Sequence, residues 1–163
     1  PGDLIGLQAA LAEPLAHSVE ALTAVTLCVF VRERFPELLR NHPELGYDVI
    51  WLAAKEEESL EEHLVALGQR TARERIAYLA VFLVQRAIDT GIARGDSVTL
   101  SVTQSQIADM LGLSLVHTNR TLQALRQANL ISWNLSEIQI TDMAAAREFA
   151  RFDHNSHGLR PYL

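Results

Sequence analysis

The chain has 163 residues and a mass of 18.1 kDa, room for one ordinary domain or two small ones, and its 48% apolar residues suit packed cores rather than a disordered polymer. No stretch approaches the roughly 18 consecutive apolar residues of a membrane helix, and no charged segment leads into an apolar run at the start, so neither a span nor a secretory signal is expected. The net charge of -6 argues against a nucleic-acid partner until it is divided: residues 1–69 carry 4 Lys+Arg against 12 Asp+Glu, whereas residues 70–163 carry 10 Arg against 8 Asp+Glu. Only the second part can face phosphate.

A single cysteine, Cys28, excludes an internal disulfide and any Cys-rich zinc or iron–sulfur site built from this chain alone, and a reducing, cytoplasmic setting is the default. The chain opens at Pro1, without a methionine, inside what reads as a sheet, so residues upstream are expected. Residues 1–31 combine turn signals (Pro1-Gly2-Asp3, Glu13-Pro14) with the β-branched run Ala24-Val25-Thr26-Leu27-Cys28-Val29-Phe30-Val31, which predicts two or three strands. From Arg32 the period changes, and Phe35, Leu38 and Leu39 mark a short helix that Asn41 and His42 interrupt. Pro43 then suits the first turn of a new helix.

That helix is predicted over residues 43–67. Leu45, Val49, Leu52, Glu56, Leu60, His63 and Leu67 follow one another by fours and threes apart from one irregular step, close to a coiled-coil heptad, and this seam predicts a homodimer. Gly68 ends it and supplies a hinge. A second helix over residues 71–90 opens with Thr71 and Glu74 in capping-box spacing, carries Ile76, Leu79, Ala80, Leu83, Val84 and Ile88 as its core face, and closes at Gly91. Residues 97–102 alternate as a strand, with Val98, Leu100 and Val102 on one side.

Residues 103–129 carry the most specific signal. Thr103 caps a short helix over 104–111, Gly112 permits the tight turn, and Ser114 caps a second helix over 115–129: a helix-turn-helix. Ile107, Ala108 and Leu111 face inward, and the small Ala108 lets the helices approach. The second helix presents Val116, His117, Asn119 and Arg120 on its first turns, where a recognition helix meets base edges; Arg and Asn suit bidentate contact with guanine and adenine. Gln104, Ser105 and Ser114, at the two helix starts, are candidates for holding phosphates. Leu130-Ile131-Ser132-Trp133, a turn at Asn134-Leu135-Ser136-Glu137 and Ile138-Gln139-Ile140-Thr141 form a hairpin, the wing of a winged helix-turn-helix.

With "LGLSLVHTNRTLQALRQANLI" at its centre, the stretch from Thr103 to Thr141 resembles the DNA-binding domain of the Crp/Fnr superfamily of bacterial transcription regulators. "PGDLIG" resembles that family's last sensor-domain strands, "FPELLRNHPEL" its connector, and residues 43–67 its dimerisation helix. The resemblance implies an α+β, mostly α chain: residues 1–42 as the C-terminal part of a cyclic-nucleotide-binding-like β-roll, 43–68 as the dimerisation helix, 69–153 as the winged helix-turn-helix and 154–163 as a tail. It implies a homodimer on a palindromic site in double-stranded DNA, with RNA polymerase as a further partner. Three departures matter. The glutamate and arginine that hold ribose and phosphate in cyclic AMP sensors fall at Leu7 and His17, with Ser18 kept, so the effector pocket is degenerate and cyclic AMP is not expected. A glutamate that reads cytosine in many members falls at Val116 and the basic residue before it at Leu115, so the half-site is expected to differ. Thr118 and Thr121 stand where the helix is often aliphatic.

Other features take simpler readings. Residues 56–63 hold enough ligand atoms to suggest a metal, but a polar seam residue at His63 that fixes register is the commoner arrangement, and no metal or cofactor is expected. His154 and His157 lie in the tail; Cys28 reads as a small buried hydrophobe, and Trp51 as an effector-pocket or packing residue. No Gly-rich phosphate loop, His-Glu-x-x-His or Gly-x-Ser-x-Gly occurs, so no enzyme activity is expected. The rival function is a protein-interaction module built on a coiled coil and a winged helix that does not bind DNA.

Overall fold

A computed structural model describes residues 3–8, 18–134 and 137–153. It is mostly helical with one small antiparallel sheet, as the α+β expectation requires. The described residues up to Leu60 form one compact unit and those from Glu61 on another.

In the first unit, a single 3-10 turn at Arg32–Arg34 leads into α1 (Phe35–Asn41), whose second residue, Pro36, sits where a missing N–H costs nothing. His42 breaks the helix, and Pro43 starts α2 (Pro43–Gln69), 27 residues long. Among the described residues before Arg32 no strand is found, and part of the expected strands lies outside the described residues. Leu7 and Gln8 have helical backbone, and residues 24–31 pair with no other described segment. Their side chains point into solvent, Val29 at 87% and Phe30 at 66% exposure. The run has the composition of a strand, but a strand exists only where a second one satisfies its N–H and C=O groups. Cys28 is accordingly exposed rather than buried.

The second unit is built around α3 (Ala72–Asp89). Its capping box is present in full: Glu74 N–H donates to Thr71 Oγ1 at 3.4 Å and Thr71 N–H donates to the Glu74 carboxylate at 2.7 Å. Ile76, Leu79, Ala80 and Val84 are buried along the expected face, with Tyr78 and Val81 widening it. A helix apolar on so much of its circumference must be covered from several sides. The covering elements are α4 (Gln104–Leu111), α5 (Leu115–Gln127), α6 (Met143–Ala150) and a sheet of β1 (Ser97–Thr99), β2 (Ile131–Trp133) and β3 (Glu137–Ile140) in the order β1-β3-β2. Ile138 pairs with Val98 on one side and Trp133 on the other, which makes β3 the central strand and places its alternate residues Ile138 and Ile140 in the core.

Two boundaries differ from expectation for local reasons. The strand from Ser97 ends at Thr99 because Val102 N–H turns back to the Leu100 carbonyl at 2.9 Å, bending the chain ahead of the next cap. Helix α5 ends at Gln127, and Asn129 takes a left-handed φ of 55°. Helix α6 was not anticipated. Asp142 caps it by accepting Ala145 N–H at 3.0 Å, and Ala146 and Ala150 are buried in the core.

The seam residues of α2 differ in exposure. Leu52 is buried, Leu45 and Val49 are half-buried, and His63 turns toward α3, where its Nδ1 lies 3.3 Å from the Tyr78 hydroxyl and its ring meets Phe82 edge-on. His63 thereby packs within its own unit. Of the exposed apolar residues of α2, which also include Tyr47, Ala54 and Val65, five fall on one stripe, Ile50, Ala53, Leu60, Leu64 and Leu67, with Glu57 among them. Their spacing of three, four, three, four and three is a stricter heptad than the one read from Leu45. Leu60 and Leu67 belong to both.

Candidate nucleic-acid interface

The helix-turn-helix is assembled from local signals. Thr103 closes a second capping box, its Oγ1 accepting Gln106 N–H at 3.2 Å while its own N–H donates to Gln106 Oε1 at 2.8 Å. Gly112 ends α4 with φ 62°, a left-handed conformation that costs a side-chain-bearing residue roughly 1–2 kcal/mol. Leu113 N–H then reaches back to the Ala108 carbonyl at 2.9 Å, completing the helix stop. Ser114 Oγ accepts His117 N–H at 3.2 Å and starts α5. Arg75 ties the motif to α3, donating to the Leu111 carbonyl at 3.4 Å and to the Arg70 carbonyl at 2.8 Å.

On α5 the inner face is Thr118, Thr121, Leu122 and Leu125, all buried. The two threonines occupy core positions, and the Thr118 hydroxyl is buried without a hydrogen-bond partner among the described residues. The opposite side is open. Val116, His117, Asn119 and Arg120 are all exposed. Ser105 and Ser114 are exposed and Gln104 half-exposed, at the first turns of α4 and α5, where unsatisfied N–H groups point outward.

Two contributors escaped the sequence reading. Gln123 is exposed one turn beyond Arg120, and its spacing of seven from Val116 was the available signal. Arg73 is exposed at the start of α3 and, with Thr71, lines an open cleft shared with Ser114, Val116, His117 and Arg120. No sequence pattern links residue 73 to residue 120; the packing of α3 against the motif does. The cleft also contains Glu74, whose carboxylate is held below its ordinary range by the Thr71 hydrogen bonds first and by Arg151 at 3.1 Å second. Its charge is therefore balanced from behind, and the outward charges are those of the arginines.

The other candidates are placed as follows. Leu7 is half-buried, Ser18 exposed, and His17 lies outside the described residues, as do His154, His157 and the turn residues Leu135 and Ser136. Among the described residues no three His, Cys, Asp or Glu side chains converge as a metal site would require, the segment 56–63 included. Trp51 is half-buried, with the Lys55 ammonium 5.9 Å from its ring centre. No helix among the described residues is long and apolar enough to cross a membrane.

Residues 74–149 match the family described as the Crp-like helix-turn-helix domain. Over 94% of its length the chain is 29% identical to the transcriptional activator protein FnrL of Cereibacter sphaeroides, and over 92% it is 30% identical to the nitrogen fixation regulation protein FixK of Bradyrhizobium diazoefficiens. In both cases it spans 62% of the relative's length. Among solved structures, TTHB099, a CRP-family transcriptional regulator from Thermus thermophilus, shares the fold with a TM-score of 0.73 at 22% identity, covering 96% of this chain and 76% of that one. These likenesses favour the DNA-binding alternative over the interaction module. Residues 74–149 are thus similar to a Crp-like helix-turn-helix domain, and the chain as a whole is similar along most of its length to the regulators FnrL and FixK.

Proposed function

We propose that this chain is the dimerising and DNA-binding part of a sequence-specific transcription regulator of the Crp/Fnr type, acting on a palindromic site in duplex DNA. The observation that carries it is α5: a capped helix anchored by four buried residues, whose free face holds Val116, Asn119 and Arg120 beside a cleft lined by Arg73. In that arrangement Arg120 reads a guanine, and Asn119 or His117 a neighbouring base. Gln104, Ser105, Ser114 and Arg73 hold phosphates and set the docking angle. Two copies paired along the exposed α2 stripe of Ile50, Ala53, Leu60, Leu64 and Leu67 would present two such helices about one DNA turn, ~34 Å, apart.

RNA polymerase is the expected protein partner by the same likeness, the cytoplasm the expected compartment, and catalysis has no part in the proposal. Nor does cyclic AMP, since Leu7 offers no acceptor to a ribose hydroxyl. The test is selection of bound duplexes from a random pool at low salt, followed by Arg120→Ala. That variant should lose roughly 1–3 kcal/mol per half-site and relax one base pair, whereas Arg73→Ala should weaken every sequence alike and flatten the salt dependence by about one charge. A pool from which nothing is enriched overturns the proposal. Leu64→Glu should yield monomer in sedimentation; an unchanged dimer moves the interface off α2.

A further inference from the structure

The first two turns of α5 invert the usual polarity of an amphipathic helix. Two hydroxyl side chains, Thr118 and Thr121, are buried, while two aliphatic ones, Leu115 and Val116, stand 50% and 61% exposed. Packing does not ask for an apolar residue at 116, because the inner face is already complete. At 100° per residue, Val116, Arg120, Gln123 and Gln127 fall within about 60° of one another, directly opposite the buried face, and Leu115, His117 and Asn119 lie on its flanks. Val116 is thus central on the outward face and is its one apolar member.

In the major groove only thymine offers an apolar group, its 5-methyl. Cytosine presents an amino donor and guanine two acceptors, and each loses its water against a valine without gaining a partner. We infer that Val116 is a specificity-determining residue that packs its methyl groups on the 5-methyl of a thymine, so that the half-site carries an A·T pair at the position it faces. The inference rests on the DNA-binding function proposed above and adds to it the identity of one base pair. It also sets a distance. Val116 and Arg120 are four residues, about 6 Å, apart along the helix, which is between one and two base steps of about 3.4 Å. The thymine therefore lies one or two steps from the guanine that Arg120 reads.

The experiment uses the full chain and a random duplex pool at low salt. Wild type should enrich a half-site in which thymine lies one or two steps from the guanine whose preference Arg120→Ala relaxes. Replacing that thymine by uracil deletes only the methyl group; binding should weaken about fourfold per half-site, the worth of one buried methyl. Val116→Ala should abolish the difference between thymine and uracil, and Val116→Glu should move the preference to cytosine, whose amino group donates to a carboxylate. Since Val116 is exposed, thermal melting should be unchanged in both variants. An enriched site with a G·C pair at that position, or equal binding of thymine and uracil by wild type, overturns the inference while leaving Arg120-dependent DNA binding in place. A pool with no enrichment at all overturns both together.

Discussion

Residues 24–31 and β3 make an instructive pair. The first, Ala24-Val25-Thr26-Leu27-Cys28-Val29-Phe30-Val31, is far richer in β-forming residues than Glu137-Ile138-Gln139-Ile140, yet among the described residues it stands in no ladder while β3 is bonded on both edges. Side-chain preference describes what fits a pleated, half-buried surface; it does not create that surface. In β3 every second residue is buried and every second one exposed, and both neighbours are within the same unit.

The largest expected effect therefore lies in the modest-looking strand. Ile138→Ala, at a fully buried position, should cost roughly 2–5 kcal/mol in urea denaturation, and Val29→Ala, at 87% exposure, within about 0.5 kcal/mol. Equal costs would break the contrast. Local capping should be worth less than pairing: Thr103→Ala should lose about 1 kcal/mol, read in the same way, because it removes one helix cap and leaves the sheet intact. Acid should act through Glu74. Its carboxyl titrates lower when folded than when unfolded, so it contributes stability above the ordinary carboxylate range and loses it as pH falls through the folded value. In an acid titration followed by circular dichroism, Glu74→Gln should shallow that loss. Smallest, and opposite in sign, is Thr118→Val. It removes a buried hydroxyl with no partner at nearly constant volume, and a gain of about a few tenths of a kcal/mol in melting experiments is expected.

Where chemistry is local, the sequence was sufficient. The capping boxes at Thr71 and Thr103, the turn at Gly112 and the cap at Ser114 are each decided by three or four neighbouring residues, and they bring Val116, His117, Asn119 and Arg120 to one open side of α5. What depends on distant packing was less legible. The periodicity of α2 does not say which of its apolar residues are exposed: Leu52 is buried and Leu45 and Val49 half-buried, while Leu60 and Leu67 are exposed, and the partners of His63, Tyr78 and Phe82, come from α3. Arg73 has no signal in the sequence because Ser114, Val116, His117 and Arg120, which share its cleft, are more than forty residues away. Helix α6 should have been seen, since Asp142 followed by Met143, three alanines and Arg147 is a cap ahead of strong helix formers.

Arg151 lies just past α6 in a left-handed turn, its carbonyl accepting from Arg70 Nη2 at 2.9 Å and its guanidinium meeting Glu74 at 3.1 Å. Arg70 also lays its guanidinium over the Tyr78 ring at 4.4 Å. Residues 81 positions apart are thereby clasped, so the end of α6 is held beside the start of α3, a few residues after Ala66, which belongs to the same core. A fold whose entry and exit lie side by side can be spliced behind a different partner, or have its ends joined and be reopened at a surface loop, without rethreading its core. By this geometry the winged helix-turn-helix is a portable cassette, and joining residue 70 to residue 152 by a short linker while opening the chain between Arg94 and Gly95 should return a folded protein.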